Sequence, residues 1–204
     1  MPLFSLDTPS GAPPRLGPGT RILVGAKGAQ HEQCTVTTVF RRGGTDYGIT
    51  AGHALTTNDQ VFDLESRRLI GTRVVNLLNE PTKRDLAVFR VEPNVHFSIP
   101  THHASLTGSP QPGHAFTVKN GSLRPTRVSS NIFAKPVYLL AKLGSHLPLI
   151  ECIDRVLGPG DSGAPLYQSR DGKTVLIGLH SGSDPDSCYF TPTDDVIQEA
   201  LKSL

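Results

Sequence analysis

Ser162 sits among glycines in the run Gly158-Pro159-Gly160-Asp161-Ser162-Gly163-Ala164-Pro165-Leu166-Tyr167. Glycines permit tight turns that aim successive N–H groups at one point, and such a point can hold a developing oxyanion. A hydroxyl beside an oxyanion site is the equipment of acyl transfer. An incidental serine in a Gly-rich turn would look the same, so the reading depends on a base and on an acid to orient that base.

A base is available in Ile49-Thr50-Ala51-Gly52-His53-Ala54, where small neighbours leave the imidazole of His53 open to a cleft. An acid is available in Arg84-Asp85-Leu86-Ala87-Val88-Phe89-Arg90-Val91. An aspartate at the mouth of a strand can be buried only if something donates to it, and a histidine Nδ1–H is a suitable donor. The bland alternatives are a turn histidine and an aspartate bonded to its own backbone. Asp59 and Asp63 compete for the acid's role, but both sit nearer a loop or hairpin. His102-His103 could suggest a metal, yet no second ligand pair with zinc spacing accompanies them, so no metal or cofactor is expected.

The elements that must position these residues are short strands. The chain has 204 residues, with 20 Gly and 17 Pro against one Met and no Trp, a composition of many turns. Arg21–Val24, Cys34–Phe40, Tyr47–Ala51, Val61–Leu64, Leu69–Val75 and Leu86–Val91 read as strands, with Gly43-Gly44 and Glu65-Ser66 as hairpin tips. A second series runs Ala115–Lys119, Leu123–Val128, Val137–Leu143, Leu149–Ile153, Ala164–Tyr167, Thr174–His180 and Ser187–Phe190, with Asn120-Gly121 as a strong hairpin turn. Thr193 fits as the N-cap of a terminal helix whose apolar face is Val196, Ile197, Ala200, Leu201 and Leu204. The expected organisation is a Pro/Gly-rich arm over 1–20, a β unit over 21–92, a linker over 93–114, a second β unit over 115–192 and a helix over 193–204.

A formal charge of +2 with scattered basic residues leaves no nucleic-acid or membrane footprint. Residues 1–20 carry Pro and Gly where a signal peptide would be apolar, and the three cysteines, Cys34, Cys152 and Cys188, make no disulfide framework. An intracellular, reducing location is the expectation, or a mature piece of something longer. Oligomeric state is not legible.

The three candidates follow the order His53, Asp85, Ser162, two in the first unit and one in the second, so the cleft between units is where they would meet. At this point the chain resembles the trypsin/chymotrypsin-like serine peptidases. Thr50-Ala51-Gly52-His53, Asp85-Leu86-Ala87-Val88 and Gly160-Asp161-Ser162-Gly163-Ala164-Pro165 are similar to that family's histidine, aspartate and serine motifs. Gly178-Leu179-His180-Ser181-Gly182-Ser183 resembles the strand lining its substrate channel. The resemblance implies two antiparallel six-stranded Greek-key β-barrels with a C-terminal helix, and a serine endopeptidase acting on a protein or peptide substrate. Ser162 would be the nucleophile, His53 the base, Asp85 its orienter, and the N–H groups of Gly160 and Ser162 the oxyanion hole. Ser181 would bond the Asp85 carboxylate.

Ala54 stands where secreted relatives carry a cysteine after the histidine, so the resemblance is nearer to bacterial glutamyl endopeptidases and to main proteases of some positive-strand RNA viruses. Cys152 and Cys188 flank the two walls of the implied specificity pocket, and a bridge between them is open. Val156, Leu157, His180, Ser181 and Gly182 would line that pocket. His180 suits a Glu or Gln side chain, whereas Val156 and Leu157 suit an apolar one and leave a carboxylate short of partners. Arg21-Ile22-Leu23-Val24-Gly25 faintly resembles a zymogen cleavage site, in which the amine of Ile22 would pair with Asp161; an ordinary first strand, active uncut, is the expectation. Two other functions stay open. One is a silent fold used to bind a protein, argued against by a complete set of three residues. The other is an esterase of the same fold.

Overall fold

The computed structural model describes residues 13–26, 31–55, 60–79, 84–97, 106–134 and 149–204. The expected strand Val137–Leu143, the competing Asp59, the pair His102-His103 and residues 1–12 lie outside that set.

The chain opens with a two-residue strand, β1 (Arg15–Leu16), and the first barrel follows as β2 (Arg21–Gly25), β3 (Glu32–Thr35), β4 (Thr38–Arg42), β5 (Thr45–Thr50), β6 (Gln60–Asp63), β7 (Leu69–Asn76) and β8 (Ala87–Val91). These pair antiparallel in the order β3-β2-β6-β7-β8-β5-β4. The two outermost strands are successive halves of one run, which the sequence presents as a single strand, Cys34–Phe40. It breaks at Val36-Thr37, where pairing changes sides: Val36 N–H donates to Thr20 O at 2.9 Å and Thr37 N–H to Ile49 O at 2.7 Å. The run joins the two edges of the sheet, β3 and β4, which do not pair with each other among the described residues, so this first unit is a half-barrel rather than a closed ring of six. One strand can bond two neighbours far apart in a sheet only by bending.

Two more short strands, β9 (His96–Phe97) and β10 (Leu106–Thr107), lie in the stretch expected to be linker. The second barrel is β11 (Gly113–Lys119), β12 (Ser122–Ala134), β13 (Leu149–Cys152), β14 (Pro165–Arg170), β15 (Lys173–Ser183) and β16 (Cys188–Pro192). Its order is β15-β14-β11-β12-β13-β16, and β16 pairs back onto β15, so these six strands form a closed ring with β10 parallel on its outside. Asn120-Gly121 turns with φ 50° and 72°, the left-handed pair a type I′ hairpin requires.

The Pro/Gly-rich arm packs along the body where it is described. β1 runs parallel to β9, and Leu16 is fully buried. Each barrel has its own core. A third cluster joins them: Ile49, Leu77 and Val88 of the first barrel meet Val118, Tyr167 and Leu179 of the second. The terminal helix, α1 (Val196–Lys202), adds Val196, Ile197 and Ala200 to that cluster. The helix starts later than expected. Asp195 is its N-cap, because Thr193 is still held by the sheet, its N–H on Ile177 O and its hydroxyl on Leu176 O. Among the described residues no helix is long and apolar enough to cross a membrane.

Candidate active site

His53 lies in a short 3-10 turn, Gly52–Leu55, directly after β5. Asp85 lies two residues before β8, fully buried. Three donors converge on its carboxylate. The backbone N–H of His53 reaches Oδ1 at 2.7 Å, and the ring Nδ1 stands 3.0 Å from Oδ1 and 2.9 Å from Oδ2. The third is the Ser181 hydroxyl. A carboxylate only accepts, so Nδ1 carries a hydrogen and Ser181 donates. Ser181 Oγ is also 2.8 Å from Thr191 Oγ1, which therefore donates to Ser181. Burial pushes the Asp85 carboxyl up, but the His53 charge and these hydrogen bonds outweigh it, and the net displacement is downward. With Nδ1 protonated, the other ring nitrogen, Nε2, faces Ser162 Oγ at 2.9 Å. The structure thus brings together all three residues singled out in the sequence.

The turn that carries Ser162 is made by two tight bends that share Asp161. Asp161 N–H donates to Gly158 O at 3.1 Å, with Pro159 second in the turn and Gly160 third at φ 83°. Ala164 N–H donates to Asp161 O at 2.9 Å, with Gly163 third at φ 90°. A positive φ at the third position is the mark of type II turns. Asp161 and Gly163 N–H groups are bonded, whereas those of Gly160 and Ser162 meet no acceptor among the described residues.

The first barrel grips this turn through threonines that sequence reasoning passed over. Thr35 N–H donates to Ser162 O at 2.7 Å, Thr35 Oγ1 to Gly160 O at 3.0 Å, and Thr37 Oγ1 to Gly163 O at 2.7 Å. A Cβ on Gly163 would stand 2.2 Å from Thr35 O. The one signal in the sequence is the pair Thr35 and Thr37 inside a hydrophobic run; both are buried. Arg21 and Lys119, the two cations beside Asp161, were equally invisible, because their partner is remote in the chain.

A cleft of about 450 Å³ runs along the seam. Glu32, Gln33, His53 and Ala54 line it from the first barrel; Arg155, Gly158–Gly160, Ser162 and His180–Ser183 line it from the second. Val156 and Leu157, expected as pocket walls, are not part of this lining. Leu157 is 2 % exposed and packs into the second barrel's core, with Val156 against it. The chain turns these apolar side chains inward, and Arg155 and Gly158 face the cleft in their place. His180 is buried at its floor, with Nδ1 3.1 Å from Asp161 O, Nε2 2.9 Å from Ser183 Oγ and its ring edge-on to Phe190. Burial lowers it to about 4, so the ring is neutral at pH 7.

The three cysteines are free. Cys152 and Cys188 face each other across the β13–β16 ladder without a bond. Burial pushes Cys34 and Cys152 up to about 12, which keeps both thiols protonated and poor nucleophiles. Among the described residues no three metal-ligating side chains group together. A larger groove of about 770 Å³, between residues 13–21 and the hairpin tips at 63–66 and 120–121, contains none of the three candidate residues.

No family model matches the chain, and no curated protein matches it. Solved structures do. A glutamic-acid-specific serine protease, described as using a histidine triad in substrate binding, aligns over 92 % of this chain and 96 % of its own at 20 % identity and a TM-score of 0.69. An α-lytic protease homologue, N4, aligns over 91 % and 96 % at 19 % identity and 0.65. Protease A of Thermobifida fusca aligns over 91 % and 95 % at 18 % identity and 0.63. The fold is that of the chymotrypsin-like serine proteases.

Proposed function

We propose that this chain is a serine endopeptidase that hydrolyses peptide bonds through an acyl-enzyme. The observation that carries the reading is the position of His53, with Asp85 2.9 Å from one ring nitrogen and Ser162 2.9 Å from the other. Ser162 Oγ attacks the scissile carbonyl while Nε2 takes its proton. The Gly160 and Ser162 N–H groups receive the oxyanion, each contributing about 3 kcal/mol to lowering the barrier. Asp85 holds the tautomer and stabilises the imidazolium without taking the proton itself. Collapse of the tetrahedral intermediate breaks the C–N bond, and the leaving amine takes the proton from Nε2. Water then enters by the same route, giving up a proton to His53, and the acid product and free Ser162 are released.

Specificity for the residue before the cut is part of the reading. His180 and Ser183 at the floor of the cleft support a Glu or Gln side chain, Ser183 supplying a polar group that Val156 and Leu157 do not. Arg155 on the rim disfavours Lys or Arg by like charge. Apolar residues rank between.

Labelling by a fluorophosphonate tests the reading most directly. Wild type should be labelled at Ser162 and should cleave a peptide library; Ser162→Ala should do neither. A well-folded wild type that neither labels nor cleaves would sink it. A peptide set differing only before the cut, run on wild type and His180→Ala, tests specificity. Unchanged relative rates in the variant would remove His180 from the argument.

A further inference from the structure

Asp161, the residue before Ser162, is 2 % exposed and fully engaged. Arg21 Nη2 lies 2.8 Å from its Oδ1, Lys119 Nζ lies 3.2 Å from Oδ2, and Gly158 N–H donates to Oδ2 at 2.9 Å. Its carbonyl accepts from Ala164 N–H and faces His180 Nδ1, and its own N–H is on Gly158 O. With every polar atom held, the direction of the Ser162 N–H follows from where the carboxylate is anchored.

Lys119 comes from the second barrel, as Asp161 does. Arg21 comes from the first and reaches across the seam. In the β2–β3 ladder Arg21 stands directly opposite Thr35. This one cross-strand pair grips the nucleophile's loop at three points: Arg21 on the Asp161 carboxylate, Thr35 N–H on Ser162 O and Thr35 Oγ1 on Gly160 O. Three contacts from one rung of one sheet onto three consecutive residues of the turn before β14 fix an orientation as well as a distance. Stability alone is a poor account of the arginine. A half-buried ion pair offsets its attraction by desolvation. Lys119 already balances the charge, and Arg21 Nε is shielded with no partner among the described residues.

We propose that Arg21 is a positioning residue for the oxyanion site. Paired with Thr35 on the adjacent strand, it holds Asp161 so that the Gly160 and Ser162 N–H groups converge in the uncut chain. This rests on the serine-peptidase reading. It also assigns the active form to the intact chain. Ile22 lies within β2, 1 % exposed and paired with Cys34 and Asp63, and cleavage after Arg21 would sever the rung that carries the clamp.

The experiment measures kcat, KM, the rate of fluorophosphonate labelling and the thermal midpoint for the intact wild type, Arg21→Met, Arg21→Lys, Asp161→Asn and the double variant Arg21→Met/Asp161→Asn. Arg21→Met should lower kcat and the labelling rate about tenfold or more while KM stays within about twofold. Arg21→Lys should recover part of the loss, since it keeps the charge without the planar fork. Arg21→Met should add nothing in the Asp161→Asn background. If Arg21→Met fails to fold, Thr35→Val removes only the hydroxyl contact to Gly160 and should show the same loss in kcat alone. Wild-type kcat in a folded Arg21→Met overturns the proposal, as does a full further loss on top of Asp161→Asn. An inert, unlabelled wild type instead strikes the serine-peptidase reading beneath it.

Discussion

At the scale of single residues, protonation decides most of what can be tested. On the proposed mechanism the three residues act as a unit, so Ser162→Ala, His53→Ala and Asp85→Asn should each reduce peptidase activity by about 10⁴-fold or more, and combined variants should lose little beyond that. Asp85→Asn retaining near-full activity would return the acid's role to another carboxylate. His180 makes a separate prediction about stability. Its folded value, about 4, lies below the ordinary 6.5, held down first by burial and further by His53, with Asp161 and the Gly182 backbone opposing. Between those values the unfolded chain binds a proton that the folded protein does not. Stability therefore falls as pH drops from 6.5 to about 4, by about 3 kcal/mol in all. Asp85 and Asp161 have the opposite displacement from their own reference, both lowered, and their contribution is lost only as pH falls further, below the ordinary carboxylate range of about 3.9. Urea unfolding at pH 7, 5 and 4 should show the first loss in wild type and not in His180→Phe. Parallel curves would remove His180 as its source.

At the scale of elements, the strands were legible because their apolar residues alternate or run unbroken between turn signals. So were the hairpin at Asn120-Gly121 and the local contexts of His53, Asp85 and Ser162. What stayed hidden depends on which way a backbone faces. The bend at Val36-Thr37 leaves no mark, since Val36 and both flanking threonines are buried and the run stays apolar in character. Leu157 reads equally well as a pocket wall or a core residue, and only the course of residues 154–160 decides. Thr193 has the chemistry of a cap but is claimed by the sheet. Arg21 and Lys119 are ordinary surface types until the fold delivers them to Asp161. The turn that carries Ser162 gives the sharpest element-level test. Gly163→Ala places a methyl group against Thr35 O at a φ of 90° and should cost about 3 kcal/mol or more, together with most activity. Thr37→Val keeps the shape but leaves Gly163 O without its hydroxyl donor and should cost about 1–3 kcal/mol. Urea midpoints and kcat on the two variants check both, and a Gly163→Ala as stable as wild type would contradict the packing described for this turn.

At the scale of the whole molecule, the cluster shared by both barrels and α1 makes the halves interdependent. The barrels should unfold together, in one calorimetric transition whose van't Hoff and calorimetric enthalpies agree. Val196→Ala, at a fully buried position in that cluster, should cost about 1–3 kcal/mol and shift the single transition without splitting it. Two resolved transitions would mean the shared cluster does not couple the barrels. The same arrangement has a consequence for synthesis. A ribosome releases the first barrel long before α1, yet Arg42 at the end of β4 bonds the helix backbone at Leu201, and Ile49, Leu77 and Val88 await partners from Val118 onward. The nascent first barrel therefore leaves the tunnel with an apolar flank uncovered. Each growing chain passes through an interval in which sticking to a neighbour competes with finishing itself, and that interval closes when the final helix docks.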